Sequence, residues 1–162
     1  MREQNFGRII FTTSSGGLSG NFGQANYGAA KMAMIGLMNC LKIEGQKYNV
    51  HSSAVAPVAL SRMTENLFPE GIGERFLPEY VTPAVIYLAS DDAPNGAIIG
   101  AGAGVFTQFR IFETMGLALG TEDNMTPENI AAGWSSVADM DDARELFSVP
   151  EQTIKILEQA DK

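Results

Sequence analysis

The 162-residue chain has few of the residues that mark several common classes of protein. It holds one cysteine, Cys40, and one histidine, His51, so it cannot form an internal disulfide framework, and this pair does not make a typical zinc site. Its 11 Lys and Arg residues stand against 19 Asp and Glu residues, and the resulting net charge of -8 argues against a nucleic-acid partner. No stretch reaches the roughly 18 apolar residues of a membrane span, and no apolar run follows the opening MREQNF. We therefore expect an acidic, soluble, intracellular protein without a metal site.

Hydrophobic residues make up 45% of the chain, which is enough for a packed core. Short β-rich runs alternate with helical patterns and predict three strands separated by two helices, over residues 8–13, 26–48, 50–56, 82–90 and 97–106. Capped helix starts at Thr126 and Ser148 predict a helical tail. Because strands that alternate with helices pair in parallel through right-handed crossovers, we expect an α/β fold.

The first predicted helix carries apolar residues at three- and four-residue spacing, namely Ala30, Ala33, Leu37 and Leu41. This spacing predicts a stripe that faces the core. The segment before the helix, residues 14–23 (SSGGLSGNFG), is too rich in Gly and Ser for a regular element and predicts an ordered loop.

Tyr27 and Lys31 stand four residues apart on this helix and therefore share one face. An ammonium group held beside a phenol favours the phenolate and lowers the pKa of the phenol from about 10, so that tyrosine can exchange a proton near neutral pH. Ser14 lies where the first strand ends, the edge at which α/β sheets bind ligands. A lone Tyr-x-x-x-Lys pattern is also common as a surface pair, but the preceding strand, Ser14 and the Gly-rich loop favour a catalytic site.

The segment from Gly7 to Gly45 resembles the active-site block of the short-chain dehydrogenase/reductase family. Within that family, the chain is similar to the (3R)-hydroxyacyl-CoA dehydrogenase regions of peroxisomal multifunctional enzymes of type 2. The similar runs are residues 20–27 (GNFGQANY), 56–64 (APVALSRMT), 78–90 (PEYVTPAVIYLAS) and 125–134 (MTPENIAAGW). The resemblance covers essentially the whole chain.

This resemblance implies an oxidoreductase that uses NAD or NADP to interconvert a hydroxyl and a ketone, with 3-hydroxyacyl-CoA as the substrate. It makes Tyr27 the general acid/base and Ser14 the group that orients the substrate oxygen. Lys31 would lower the pKa of Tyr27 and also bind the nicotinamide ribose. The implied catalytic set is Ser14, Tyr27 and Lys31, and the implied cofactor-binding set is Tyr27, Lys31, Pro57, Val58, Ser61 and Thr64.

The family's nucleotide-binding signature, Thr-Gly-x-x-x-Gly-x-Gly, does not occur in the sequence. We therefore expect residues 1–108 to be the C-terminal, catalytic half of a Rossmann-like, doubly wound parallel sheet of which three strands are present. Residues 109–162 would be a helical extension. A competing hypothesis is an inactive, truncated dehydrogenase, or one half of a split enzyme, that acts through protein association, so the activity of the isolated chain stays open.

Association is expected for a physical reason as well. The strand around residues 9–11 would expose an unpaired edge, and the Tyr27 helix carries the small residues Ala29, Ala33 and Gly36, which permit close helix contact. Since this helix lies in the dimer interface of the family, we expect a homodimer or a complex with another chain.

The resemblance implies a peroxisomal location. The cytoplasm is the alternative, because the sequence ends Ala160-Asp161-Lys162 and not in a Ser-Lys-Leu type of address.

Overall fold

The computed structural model describes residues 1–120 and 123–161. The chain divides into two compact units, and the first, Met1–Phe109, is built on a four-stranded sheet in the order β1-β2-β3-β4. The strands are β1 (Gly7–Thr12), β2 (Val50–Pro57), β3 (Ile98–Gly102) and β4 (Val105–Phe109). The first three strands are parallel, and β4 is antiparallel to β3. This arrangement confirms the predicted α/β fold class.

Helices connect the parallel strands. Between β1 and β2 lie α1 (Ser15–Leu18) and α2 (Ala25–Gly45), and between β2 and β3 lies α3 (Thr82–Ala89). A 3-10 turn at Gln46–Tyr48 follows α2, and Asn49, with a φ of 52°, then reverses the chain into β2. Single-turn 3-10 helices precede α3 at Glu65–Leu67, Gly73–Phe76 and Pro78–Tyr80.

The two faces of the sheet pack against different helices. Because successive side chains of a strand alternate between faces, Ala54 and Val55 of β2 point into opposite layers. Ala54 belongs to a cluster with Ile35 and Met38 of α2 and Ile98 of β3. Val55 belongs to the other cluster, whose buried members also include Val81, Ala84, Leu88, Ala97 and Ala101. The first unit is therefore a helix–sheet–helix sandwich with β2 at its centre.

The prediction of a single third strand over residues 97–106 is wrong. The chain forms a hairpin there, because Ala103 and Gly104 both have positive φ angles, of 51° and 76°. Two consecutive left-handed residues make the tight turn that joins neighbouring antiparallel strands. The sheet consequently has four strands where the sequence predicted three.

The predicted apolar stripe on α2 is also wrong. Ala30, Ala33 and Leu37 are exposed, and Leu37 keeps 50% of its surface in solvent. The buried face is instead formed by Ile35 and Met38. Apolar and small residues occur all around α2, so spacing alone did not distinguish the face that packs on the sheet.

β1 is an edge strand among the strands that the structure describes, because it pairs only with β2. Its other edge carries unpaired backbone groups, as the sequence predicted.

Within the described residues, no helix is both long enough and apolar enough to cross a membrane. In the same part of the chain, no group of three or more His, Cys, Asp and Glu residues is placed to hold a metal ion.

The second compact unit is Arg110–Lys162. It contains α4 (Pro127–Ala132), α5 (Trp134–Val137) and α6 (Val149–Ala160). The predicted positions of the starts of α4 and α6 are confirmed, and the Thr126 hydroxyl caps α4 by accepting a 3.2 Å hydrogen bond from the Asn129 amide. The predicted side-chain cap of α6 is wrong, because the Ser148 side chain accepts no bond from the amides of the first turn. Residues 121–122 and 162 lie outside the described part, and the reading of this unit as a family-specific extension stays a prediction.

A buried lysine organises the second unit. The Lys155 ammonium donates to the backbone oxygen of Thr114 over 2.6 Å and lies 3.3 Å from the Glu113 carboxylate. The side-chain amide of Gln152 donates to the other oxygen of Glu113 over 3.0 Å. This bond from Gln152 is the largest cause that lowers the pKa of Glu113 from its ordinary value of 4.5. Desolvation, the next largest cause, raises that pKa, and the contact with Lys155 lowers it further.

Candidate active site

Ser14 stands where β1 ends and α1 begins. The strand continues through Thr13, whose amide donates to the Val55 oxygen over 2.8 Å. Ser14 has extended backbone angles and is the N-cap of α1, with its side-chain oxygen accepting a 3.1 Å hydrogen bond from the Gly16 amide. Within the described residues, no acceptor takes the hydroxyl hydrogen of Ser14, so this hydrogen is available to a substrate oxygen.

Tyr27 and Lys31 lie on the first and second turns of α2, on the side that faces the end of β1. The Lys31 ammonium is 5.7 Å from the centroid of the Tyr27 ring and donates to the Thr12 oxygen over 2.9 Å. Tyr27 is 40% exposed. The pair therefore presents a phenol to solvent with a cation fixed beside it, which is the arrangement that the spacing predicted.

Gly16 marks the place where Ser14 and Tyr27 meet. A Cβ built on Gly16 would lie 3.4 Å from Cε1 of Tyr27, 3.5 Å from Oγ of Ser14 and 3.4 Å from Oε1 of Gln24. Both candidate catalytic side chains thus border the same small space.

Two further glycines bring α1 against α2. A Cβ on Gly17 would lie 2.7 Å from Cβ of Lys31 and 2.9 Å from the Met32 amide nitrogen. A Cβ on Gly28 would lie 3.0 Å from the Gly16 oxygen. The prediction that residues 14–23 hold no regular element is wrong, because Ser15–Leu18 form α1. The packing role of the glycines was missed as well, although the Gly16-Gly17 pair next to Ser14 was a signal that could have found it.

The predicted cofactor residues on the second strand lie at the same edge of the sheet. Pro57 ends β2, and the parallel register with β1 places this end beside Ser14. The Val58 amide donates to the Ala101 oxygen over 2.8 Å, which holds the start of the following loop against β3. The carboxyl ends of β1 and β2 therefore border one edge, where this class of fold binds ligands.

Ser61 and Thr64 sit in the loop after β2, and their hydroxyls bond within that loop. The Thr64 hydroxyl donates to the Ala59 oxygen over 2.7 Å and accepts from the Ser61 amide over 2.8 Å. Ser61 accepts from the Met63 amide over 3.2 Å. Since a hydroxyl has one hydrogen, Thr64 in this conformation can only accept a hydrogen bond from a cofactor.

These side chains fit the nicotinamide and ribose end of a dinucleotide. The ammonium of Lys31 and the phenol of Tyr27 provide donors suited to ribose hydroxyls, and both lie at the strand ends where this class of fold binds ligands. The other Gly-rich run does not form a phosphate site, because Gly100 and Gly102 lie inside β3. A Cβ on Gly102 would lie 2.7 Å from the Val58 oxygen, so this glycine serves packing.

Comparisons with known proteins agree with this geometry. The family model described as short chain dehydrogenase matches residues 1–70, which include Ser14, Tyr27 and Lys31. The chain is 42% identical over 158 residues to Peroxisomal multifunctional enzyme A of Dictyostelium discoideum, covering 97% of this chain and 35% of that protein. It is 34% identical over 119 residues to Acetoacetyl-CoA reductase of Rhizobium meliloti (strain 1021), covering 65% of this chain and 49% of the reductase.

A solved structure extends the similarity to nearly the whole chain. Full-length peroxisomal multifunctional enzyme type 2 from Drosophila melanogaster matches with a TM-score of 0.86 at 35% identity, over 99% of this chain and 30% of that one. The chain thus spans between 30% and 49% of the length of these three relatives. Fold, site geometry and sequence similarity agree, and the chain belongs to the short-chain dehydrogenase/reductase family.

Proposed function

We propose that this chain carries the proton-transfer site of a dehydrogenase that uses NAD or NADP to interconvert 3-hydroxyacyl-CoA and 3-ketoacyl-CoA. The observation that carries the proposal is the meeting of Ser14 and Tyr27 beside Gly16 at the carboxyl end of β1, with the Lys31 ammonium 5.7 Å from the centroid of the Tyr27 ring. This set provides a hydroxyl donor, a phenol and a cation at one end of β1. An alcohol–ketone interconversion requires such groups at the oxygen that gains or loses a proton.

Each residue has a defined task in the oxidation. Ser14 donates its free hydroxyl hydrogen to the substrate oxygen on C3 and orients it. Tyr27, as the phenolate, takes the hydroxyl proton as the C–O bond becomes a carbonyl. The ammonium of Lys31, fixed by the Thr12 oxygen, stabilises the phenolate electrostatically. A bound nicotinamide dinucleotide supplies the acceptor for the hydride that leaves C3, and in the reduction every transfer reverses.

The substrate class is proposed from the relatives. One relative is named an acetoacetyl-CoA reductase, and an acetoacetyl-CoA molecule is a 3-ketoacyl-CoA. The resemblance along the chain to the (3R)-hydroxyacyl-CoA dehydrogenase branch supports the same chemistry. The peroxisome is the proposed compartment, since two relatives carry that word in their names.

Association with a second chain belongs to the same proposal. Helix α2 exposes Met32, Leu37 and Ile43 along its outer side, and β1 has an unpaired edge. Both features favour burial against another chain, either a second copy or a different protein. Light scattering on the purified chain at micromolar concentration is expected to show a species larger than a monomer, and a stable monomer would contradict this part of the proposal.

The catalytic proposal is tested by turnover of a (3R)-hydroxyacyl-CoA in the presence of NAD or NADP, followed by the absorbance of the reduced cofactor. Because general acid–base catalysis contributes about 10²–10⁴-fold, Tyr27→Phe is expected to lower kcat by a factor in that range. Tyr48→Phe is the matched control, because Tyr48 lies past the end of α2 between Arg2 and Lys47 and does not border the site. Equal turnover by Tyr27→Phe and wild type, or no turnover by wild type, would contradict the proposal.

A further inference from the structure

Thr13 is a buried hydroxyl residue directly before Ser14 and keeps only 1% of its surface in solvent. Its hydroxyl donates to the backbone oxygen of Lys31 over 2.8 Å. The Lys31 side chain returns to the same strand end and donates to the Thr12 oxygen over 2.9 Å. Two hydrogen bonds therefore join Thr12, the last residue of β1, and Thr13, which follows it, to one residue of α2.

The acceptor of the Thr13 hydroxyl is a backbone oxygen inside a helix. Lys31 lies inside α2, where each backbone oxygen already accepts from the amide four residues later. The Thr13 hydroxyl uses the second lone pair of this oxygen. The bond therefore adds a fixed contact between strand and helix without being needed to satisfy the helix.

The position of this contact sets the geometry of the site. Lys31 is one turn from Tyr27. A bond to the Lys31 backbone therefore fixes where the turn that carries the phenol lies along the helix axis, and how it is rotated about that axis, relative to the end of β1. Gly17 approaches the same residue from α1, where a Cβ would lie 2.7 Å from Cβ of Lys31. Lys31 is thus held on one side by Thr13, which directly follows β1, and on another by the α1 backbone that follows Ser14.

We propose that Thr13 is a positioning residue, whose hydroxyl holds the Lys31 turn of α2 against the end of β1 and thereby sets Lys31 and Tyr27 relative to Ser14. This inference rests on the proposed function for its effect on turnover. Its structural part, the placement of the Lys31 ammonium, does not depend on turnover. A misplacement of about 1 Å at a reacting centre lowers a rate by about 10²-fold, so loss of the hydroxyl is expected to lower kcat tenfold to a hundredfold with little change in KM.

Two substitutions at Thr13 separate the hydroxyl from the shape of the side chain. Thr13→Val keeps the shape and removes the hydroxyl, while the Lys31 oxygen keeps its helical bond. Thr13→Ser keeps the hydroxyl. Ser53→Ala is the matched control, because Ser53 is 2% exposed and its hydroxyl donates to the Pro94 oxygen over 2.9 Å, on the face of β2 that points away from α2.

The deciding readout is an NMR signal from Lys31. The lysine amines of the full chain are dimethylated with isotope-labelled methyl groups, and the signal of the methyl groups on Lys31 is assigned by its loss in Lys31→Arg. We expect this signal to shift or broaden in Thr13→Val, and to stay at its wild-type position in Thr13→Ser and Ser53→Ala. A wild-type signal in Thr13→Val would overturn the inference. An effect in Thr13→Val that Ser53→Ala reproduces would also overturn it, because a structural loss alone would then explain both.

Turnover provides the second readout and keeps the two proposals distinguishable. A lower kcat in Thr13→Val with restoration in Thr13→Ser supports the inference, and equal kcat in wild type and Thr13→Val overturns it. If the wild-type chain gives no turnover, the proposed function fails, while the Lys31 signal still decides whether Thr13 positions the lysine.

Discussion

Replacing Gly17 by alanine tests the close approach of α1 to the helix that bears Tyr27 and Lys31. The new Cβ would lie 2.7 Å from Cβ of Lys31 and 2.9 Å from the Met32 amide nitrogen, well inside the 3.5–4.0 Å at which such atoms pack. Neither neighbour is the free end of a flexible side chain. Helix α1 must therefore move away from α2, and it takes Ser14, its N-cap, with it.

The size of the effect follows from two opposing contributions. Inserting a methyl group into a packed contact costs about 1–3 kcal/mol, and replacing glycine by alanine in a helix returns up to about 1 kcal/mol. We expect Gly17→Ala to lower the free energy of unfolding by about 1–2 kcal/mol. The neighbouring Gly16→Ala places its Cβ 3.4 Å from Tyr27, an ordinary contact, and is expected to match or exceed the wild-type stability.

Urea unfolding followed by far-ultraviolet circular dichroism measures both variants under the same conditions. The expected order of unfolding midpoints is Gly17→Ala below wild type, with Gly16→Ala at or above wild type. Turnover of Gly17→Ala is expected to fall as well, because Ser14 moves relative to Tyr27. Equal midpoints for the two alanine variants would refute the argument that Gly17 is present for close packing against Lys31.

The remaining predictions concern the core and the second unit. Leu88 is 1% exposed, so Leu88→Ala leaves a cavity and is expected to lower the free energy of unfolding by about 2–5 kcal/mol. Ile86 lies on the same helix and is 64% exposed, so the control Ile86→Ala is expected to change this free energy by less than about 0.5 kcal/mol. Urea unfolding measures both variants. The hydrogen bond from Gln152 and the ion pair with Lys155 lower the pKa of Glu113 in the folded chain, so these contacts contribute stability above its ordinary value of 4.5. This contribution is lost as the pH falls through the lowered value. Acid unfolding of the second unit, followed by the fluorescence of the single tryptophan, Trp134, should therefore be less steep in Glu113→Gln, and identical profiles would contradict this reading.

The sequence was sufficient for the parts of the fold that depend on local pattern. The β-rich run before Ser14, the long helix bearing Tyr27 and Lys31, and the strand that ends at Pro57 all occur as predicted, each within a few residues. Their order predicted the parallel pairing of the first three strands. The i, i+4 spacing of Tyr27 and Lys31 was enough to place an ammonium beside a phenol.

The parts that were missed depend on contacts between elements. The hairpin turn contains Ala103, which has no sequence signature for a positive φ, so the strand was read as continuous. The packing face of α2 was misassigned because Leu37 and Met38 are both apolar, and only the sheet determines which of them is buried. The hydroxyl bond from Thr13 to Lys31 joins residues 18 positions apart and has no local pattern.

The central claim is that Ser14 and Tyr27 hold the oxygen that is oxidised or reduced. The most direct measurement is a crystal structure of the chain bound to a 3-ketoacyl-CoA. We expect the ketone oxygen to lie beside Gly16, within about 2.6–3.2 Å of both Oη of Tyr27 and Oγ of Ser14. A 3-ketoacyl-CoA bound with its ketone oxygen out of hydrogen-bond reach of Tyr27 and Ser14 would contradict the claim.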